Sequence, residues 1–562
     1  MTRDDLLDEV FGQIACGAAD RALESCRPGR PGYDAPVAAA LGAVASFWLG
    51  EFEQAVDQAG NALSQATDDH QRALALAALG LARGGLLDPD RGATADPITA
   101  AEHLLEQYDD GSRWWTLIRY LVAEAALVSA RLDDATRVIG PDPRALARAP
   151  GWAGHPFGVL LGICVIRVLS FRGQINVAAQ LLSEVLDLPH PANLEPVLAA
   201  VGCLVKGNAD DPDTMRERDR IVAAIPDVPV DFGHRGTFLL LAYGAIAVGD
   251  EVGAADLVLR AGGSDDLAHC TLVDRALGFE LLLVAALSAG DLDAAAVWVT
   301  RLGELAADPI PAPVVDRALS RYAHATGSVD EAIVLVQRSL EACQEQGRAL
   351  EAAEANLLLA RYRIEVADIA VASRQLRELV AASDQRGHAA VRRSATVALG
   401  AARRRLPPVT GGGWAVLSPR EAEVARMILA GTSTDRIAAE LFLTPATIRL
   451  HTSRVLCAFA VPNRIGLLAA VSGQSPRVPA VDWQATLTQR QIEVLALLAH
   501  AHSNQQIASE LGISVKAVEK HVAGLRERLQ APSRFELARI WWQAADPIES
   551  QSAAAVQRAP KR

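Results

Sequence analysis

The chain has 562 residues, more than one hydrophobic core organises, so at least two domains are expected. Half of its residues are apolar and 22% are charged, which excludes a disordered or fibrous chain; aromatics at 5% amid abundant Ala and Leu make the expected fold class all-α rather than a sandwich or barrel. The net charge of −13 is uneven, with −21 on residues 1–400 and +8 on residues 401–562, so an acidic body precedes a tail suited to a polyanion.

The opening residues Met1 to Glu9 are acidic and lack the basic and apolar regions of a secretory signal. The longest apolar run, near Phe157 to Ile166, ends at Arg167, short of the ~20 residues that a membrane span needs. Seven cysteines at 16, 26, 164, 203, 270, 343 and 457 form no C-x-x-C pair, as expected of reduced thiols. A cytoplasmic protein without membrane contact is the expectation.

Along residues 1–406 a short phrase recurs: Gly, a polar residue, an apolar residue, then Ala three positions on. It reads Gly50-Glu51-Phe52 with Ala55, Gly173-Gln174-Ile175 with Ala178, Gly290-Asp291-Leu292 with Ala295, and Gly327-Ser328-Val329 with Ala332. Weaker copies are Arg131-Leu132 with Ala135, Gly249-Asp250 with Ala254, and Asp368-Ile369 with Ala372; turn-rich segments at Gly84 to Gly92 and Gly207 to Pro212 fill the gaps. The period is about forty residues, that of a helix–turn–helix repeat. Gly ends one helix in the left-handed conformation, and the apolar residue and Ala share a face of the next, where a small side chain lets paired helices approach. The pattern resembles a tetratricopeptide-like α-solenoid of nine or ten hairpins. Such a body presents a concave surface for an effector or a partner protein.

Pro407-Pro408 and Gly411-Gly412-Gly413 mark a linker at 407–416. Ser418, Pro419 and Glu421 then form a capping box that starts a helix ending near Ala430-Gly431. A second helix follows Ser433, Thr444-Pro445 caps a third, and Val461-Pro462-Asn463-Arg464 leads into a fourth. A shift of seventy residues repeats the pattern without a gap: Leu487, Arg490, Glu493, Val494, Ser503, Ile507, Ala508, Glu510, Leu511, His521, Pro532 and Arg534 match their counterparts, twelve identities in the 48 positions from Leu417 to Arg464. The domains are therefore placed at 417–471 and 486–545, with a linker at 472–485 and a flexible tail at 546–562. Ile448, Val455, Val518 and Leu525 are assigned to the cores.

Both segments resemble LuxR/GerE-type helix-turn-helix domains, through L-[ST]-x-R-E-x-E-V, S-x-x-x-I-A and [ST]-x-x-T-V-x-x-H. The first copy keeps all of it with Ile448 for Val; the second departs at Gln491, Ala501 and Ala517. The resemblance covers about 120 residues. It implies that the third helix enters the major groove, with Arg449, Leu450 and Ser453 on the base-reading face and Arg436, Thr447, His451, Arg454 and Arg464 at phosphates. In the second copy it places Glu519, Lys520 and Ala523 on the reading face, with Lys516, His521, Arg526, Arg528 and Arg534 around it.

The whole resembles the rear half of MalT-like regulators. The phosphate loop of their nucleotide-binding module is missing, because none of the four lysines follows Gly as G-x-x-x-x-G-K-[ST] requires. No cofactor, metal or enzymatic activity is expected: His500-Ala501-His502 has no third ligand in register, and neither G-x-S-x-G nor H-E-x-x-H occurs. Trp114-Trp115 and Trp541-Trp542 read as packing residues. The expected function is sequence-specific transcription regulation on double-stranded DNA, with RNA polymerase, an effector or protein on the solenoid, and a second copy of the chain as further partners. The competing reading is an interaction scaffold whose helix-turn-helix tail docks proteins.

Overall fold

In this computed structural model the described residues are 3–545 apart from 28–33, 89–90, 92–94, 227, 405, 407–410 and 473–486. Residues 407–410 of the first linker, all but the first residue of the second and the whole tail at 546–562 lie outside the described residues. Those described form helices and turns with no strand, as the composition implies. The chain divides into two compact units, Met1–Arg405 and Leu406–Arg562.

The first unit is a succession of antiparallel helix pairs, and the glycine phrase falls at their turns. Gly50, Gly173, Gly249, Gly290 and Gly327 take φ between 69° and 91°, which a side chain resists. At two weaker copies an alanine adopts that conformation instead, Ala130 at 57° and Ala367 at 64°. The next helix begins at the apolar residue of the phrase, as in Phe52–Gln65, Ile175–Leu186, Leu292–Leu305 and Val329–Glu345. Three residues on, Ala55, Ala178, Ala295 and Ala332 are each 0% exposed, and so are Ala135, Ala254 and Ala372. The small residue marks where two helices meet.

The turn expected over Gly207 to Pro212 begins after Asn208: Gly207 itself lies inside the helix Glu195–Asn208, and the left-handed residue of the turn is Asp210 at φ 60°. The glycine is required for another reason: a Cβ on it would stand 2.6 Å from the Gly244 carbonyl oxygen, and a Cβ on Gly244 would stand 2.7 Å from that of Cys203. The helices Glu195–Asn208 and Phe232–Val248 thus pack backbone to backbone, which only glycine allows.

The body also differs from an open concave strip, because early hairpins touch late ones. The fully buried Asp308 carboxylate accepts from the Arg91 guanidinium at 2.8 Å and from the Asp88 backbone N–H at 2.9 Å. Leu272 N–H donates to the Gly84 carbonyl at 3.0 Å, and buried Arg235 donates to the Trp48 carbonyl at 2.7 Å. Asn176 N–H reaches the Arg386 carbonyl at 3.0 Å, and Arg393 pairs with Asp210 at 2.7 Å. Repeat stacking alone joins neighbours; these bonds join segments some 180 to 220 residues apart.

Among the described residues no helix is long and apolar enough to cross a membrane.

Candidate nucleic-acid interface

The second unit holds two helical units of one design. The first comprises Pro419–Leu429, Thr434–Glu440, Pro445–Ala458 and Arg464–Ser472, and the second Gln489–Ala499, Asn504–Leu511, Val515–Arg528 and Arg534–Ala545. Each starts at the cap residue its sequence supplies. Ser418 and Glu421 close a reciprocal capping box, and Thr488 with Gln491 does the same in the second unit. Ser433, Thr444, Ser503 and Ser514 each accept a backbone N–H at the starts of the second and third helices of the two units. Gln491 is thus a neutral replacement of Glu421 that preserves the box.

The third helix of each unit has one buried stripe. Ile448, Val455, Val518 and Leu525 are all 0% exposed, which fixes the helix rotation and leaves the opposite face outward. Arg449, Leu450 and Ser453 are exposed on that face in the first unit, and Lys516, Glu519, Lys520 and Ala523 in the second. Neither Arg449 nor Lys520 makes a hydrogen bond or ion pair among the described residues. Their charge is available to a ligand.

The other expected contacts are variously engaged. Exposed Arg436 pairs with Glu440 at 2.9 Å, a surface pair that phosphate can displace. Thr447 shares its hydroxyl with Thr444 at 2.9 Å. Arg454 binds the buried Glu421 carboxylate at 3.3 Å, and His451 Nδ1 stands 3.9 Å from the same oxygen without a hydrogen bond. Burial alone would raise the Glu421 pKa, but hydrogen bonds from Ser418 and Arg454 outweigh it and hold the carboxyl below the ordinary glutamate value. Arg464 donates to the Thr434 hydroxyl at 2.8 Å; its counterpart Arg534 donates to Asn504 and to the His502 carbonyl at 2.6 Å, and burial lowers the pKa of both. These two are braces between the fourth helix and the start of the second. Arg526 is likewise occupied by the Ala531 and Pro532 carbonyls, while Arg528 reaches Gln491 at 3.4 Å and His521 is half-buried without a hydrogen bond among the described residues.

A second brace escaped sequence reasoning although its residue was among the repeated identities. Arg420 donates to the Leu441 carbonyl and Arg490 to that of Leu511, each at 2.6 Å, tying the first helix to the end of the second.

The two units exchange a glycine between two turns. At the end of the first helix the first unit has Gly431 at φ 84° where the second has Ala501 at 68°; in the turn before the third helix the second has Gly512 at 64° where the first has Phe442 at 55°. Phe442 is 94% exposed, so its ring contributes no burial against that strain. Phe442→Gly and Ala501→Gly are each expected to stabilise this unit by about 1 kcal/mol, read as a higher denaturant midpoint.

The units also share a core. Ile465 and Leu468 of the helix Arg464–Ser472 belong to one buried cluster with Leu495, Leu537, Ala538 and Trp541 of the second copy. Trp542 donates from its indole N–H to the Ala499 carbonyl at 3.1 Å, so both tryptophans are packing residues, as expected. His500 and His502 each place Nδ1 against a backbone carbonyl, those of Ala496 and Leu497.

Residues 415–470 and 485–541 match the family described as bacterial regulatory proteins, luxR family (GerE). A Mycobacterium tuberculosis protein provisionally designated an HTH-type transcriptional regulator, Rv0890c, is 36% identical over 56 residues, 10% of this chain and 6% of that one. The response regulator protein VraR of Staphylococcus aureus is 42% identical over 50 residues, 9% of this chain and 24% of that one. The chain therefore spans a quarter or less of the length of these relatives. Among solved structures, a chain of the APC/C hetero-tetramer Cut9–Hcn1 aligns with 70% of this chain and 78% of its own at 14% identity and a TM-score of 0.39.

Proposed function

We propose that the chain is a sequence-specific DNA-binding transcription regulator of the LuxR type, with tandem helix-turn-helix domains placed on promoter half-sites and a helical-repeat body that senses an effector or partner. The observation that carries this reading is the exposed, unengaged Arg449 on a third helix whose other face is locked by Ile448 and Val455, within a unit that matches a family of bacterial regulators. Arg can bond guanine O6 and N7 through two nitrogens, and Arg436 and Thr447 lie on the same side of the chemistry as phosphate contacts. The tail's charge of +8 favours a polyanion while the body's −21 does not.

The two copies share a core, which supports a single chain occupying two half-sites at a fixed separation. The first copy is the principal reader. In the second, Glu519 stands beside Lys520, which limits its attraction to phosphate, and Arg526 is occupied by its own loop.

The test is a gel-shift titration of the full chain on random duplex at 50 and 200 mM salt. Neutralising even two phosphates weakens binding ~10-fold over that range. Binding that ignores salt, or no binding, rejects the proposal. The competing protein-docking reading has the exposed aromatic ring of Phe442 in its favour, and it requires a tail indifferent to DNA.

A further inference from the structure

The closure of the first unit leaves a recess between its helices, a cavity of about 80 Å³ that opens partly to solvent. Its walls come from helices far apart in the chain and are mainly apolar. Five are aromatic: Trp48, Tyr120, Phe171, Phe232 and Tyr243. A mainly apolar, aromatic-rich lining with a few charged groups suits a small organic molecule.

The recess also holds charge. Arg167 pairs with Glu124 at 2.5 Å, and Arg348 with Glu351 at 2.6 Å. The remaining carboxylate, Asp274, has no cation of its own among the described residues. There it accepts two hydroxyl hydrogen bonds, from Tyr243 at 2.7 Å and Thr271 at 2.6 Å, and is in no ion pair. Three carboxylates and two guanidiniums leave the cavity one negative charge in excess. Burial pushes the Asp274 pKa up, against the hydrogen bonds from Thr271 and Tyr243 and the Arg167 charge, with Glu124 reinforcing it. Arg167 itself lies 5.9 Å from the centre of the Phe232 ring, so a wall of this recess already faces a cation.

We infer that the recess is a binding site for a small organic cation, a protonated amine on an apolar body, whose ammonium pairs with Asp274 while the aromatic walls enclose the rest. An anion would meet the excess carboxylate in a poorly hydrated site, and a neutral molecule would leave that charge without a counter-ion. An amine completes the charge count, and the rings favour it further. The site joins Trp48, near the start of the body, to Asp274 and Glu351, so its occupant contacts early and late repeats together. Its connection to DNA binding, unlike its existence, rests on the function proposed above.

The test is calorimetric titration of the full chain with three series of equal length: 2-phenylethylamine and 4-phenylbutylamine, 2-phenylethanol and 4-phenylbutanol, and 3-phenylpropanoate and 5-phenylpentanoate. The amines should saturate the chain at least 10-fold more tightly than the alcohols or acids, and Asp274→Asn should bring them down to the alcohols. Tyr243 and Thr271 donate to different oxygens of Asp274; Asn keeps an acceptor for one of them, its NH2 can donate to the hydroxyl oxygen of the other, and it removes the unpaired charge, so the variant should melt no lower than the parent. The charge series on the unaltered chain decides the matter without any variant. No saturation by either amine, equal affinity across the charges, or amine binding unchanged in D274N would overturn the site. Amine binding by a chain that ignores DNA would uphold the site and reject only the regulator reading; amine binding that leaves DNA affinity unchanged would uphold the site and remove its part in regulation.

Discussion

Replacing Glu280 with leucine should destabilise the helical body by about 3–5 kcal/mol. Glu280 is 5% exposed and is the hub of a buried cluster. Its two oxygens receive the Arg317 fork at 2.9 and 2.5 Å, and one of them also accepts from Arg321 at 3.1 Å. Without the carboxylate Arg317, 2% exposed, loses every hydrogen bond of its guanidinium, and its nearest remaining acid is Glu351 at 3.5 Å. Arg321 suffers less because Glu354 still holds it at 2.6 Å. The large cost comes from stranding a buried charge rather than from the net value of the pair, and this makes the result checkable twice. Adding Arg317→Met to Glu280→Leu should recover much of the loss, whereas independent sites would add their costs. Denaturant unfolding followed by tryptophan fluorescence of the full chain measures both.

Arg449→Ala should cost about 1–3 kcal/mol on the chain's own operator, a 5- to 150-fold loss, and little on a scrambled duplex. The operator itself comes from selection on a random pool. Arg436→Ala is the contrast: a phosphate contact carries no sequence information, so both duplexes should weaken alike and the salt dependence should flatten. The physical reason for separating them lies in the helix. Ile448 and Val455 hold Pro445–Ala458 in one rotation, so Arg449 has a fixed base from which to reach a base edge, while Arg436 sits on the preceding helix, paired with Glu440. Equal loss on both duplexes from Arg449→Ala would deny that it reads bases.

Local features of this molecule were legible in the sequence. Caps, turn glycines and small residues at helix crossings act within a few positions, so Ser418 with Glu421, Gly290 and Ala295 could be read one after another. Neutral Gln491 stood out as a departure yet closes the same box as Glu421. Recurrence was less informative about role. Arg464 and Arg534 repeat because each ties a fourth helix to the start of a second, and a structural brace and a phosphate contact leave the same mark in one sequence. The turn at Gly207 to Pro212 was legible, but the need for Gly207 was not, since it comes from Gly244, thirty-seven residues away. The charged recess is harder still: Trp48, Glu124 and Asp274 share no pattern, and only the meeting of distant hairpins assembles them.

That meeting also changes how the body comes apart. An array whose repeats touch only their neighbours can fray from either end, losing one hairpin at a time. Here the bond between Arg91 and Asp308 makes the early hairpins depend on the late ones, and so do those between Arg235 and Trp48 and between Arg393 and Asp210. Terminal peeling must first break a latch elsewhere, so melting becomes a more collective event. During synthesis the same latches impose an order, because Asp88 and Arg91 emerge long before Asp308 exists to receive them.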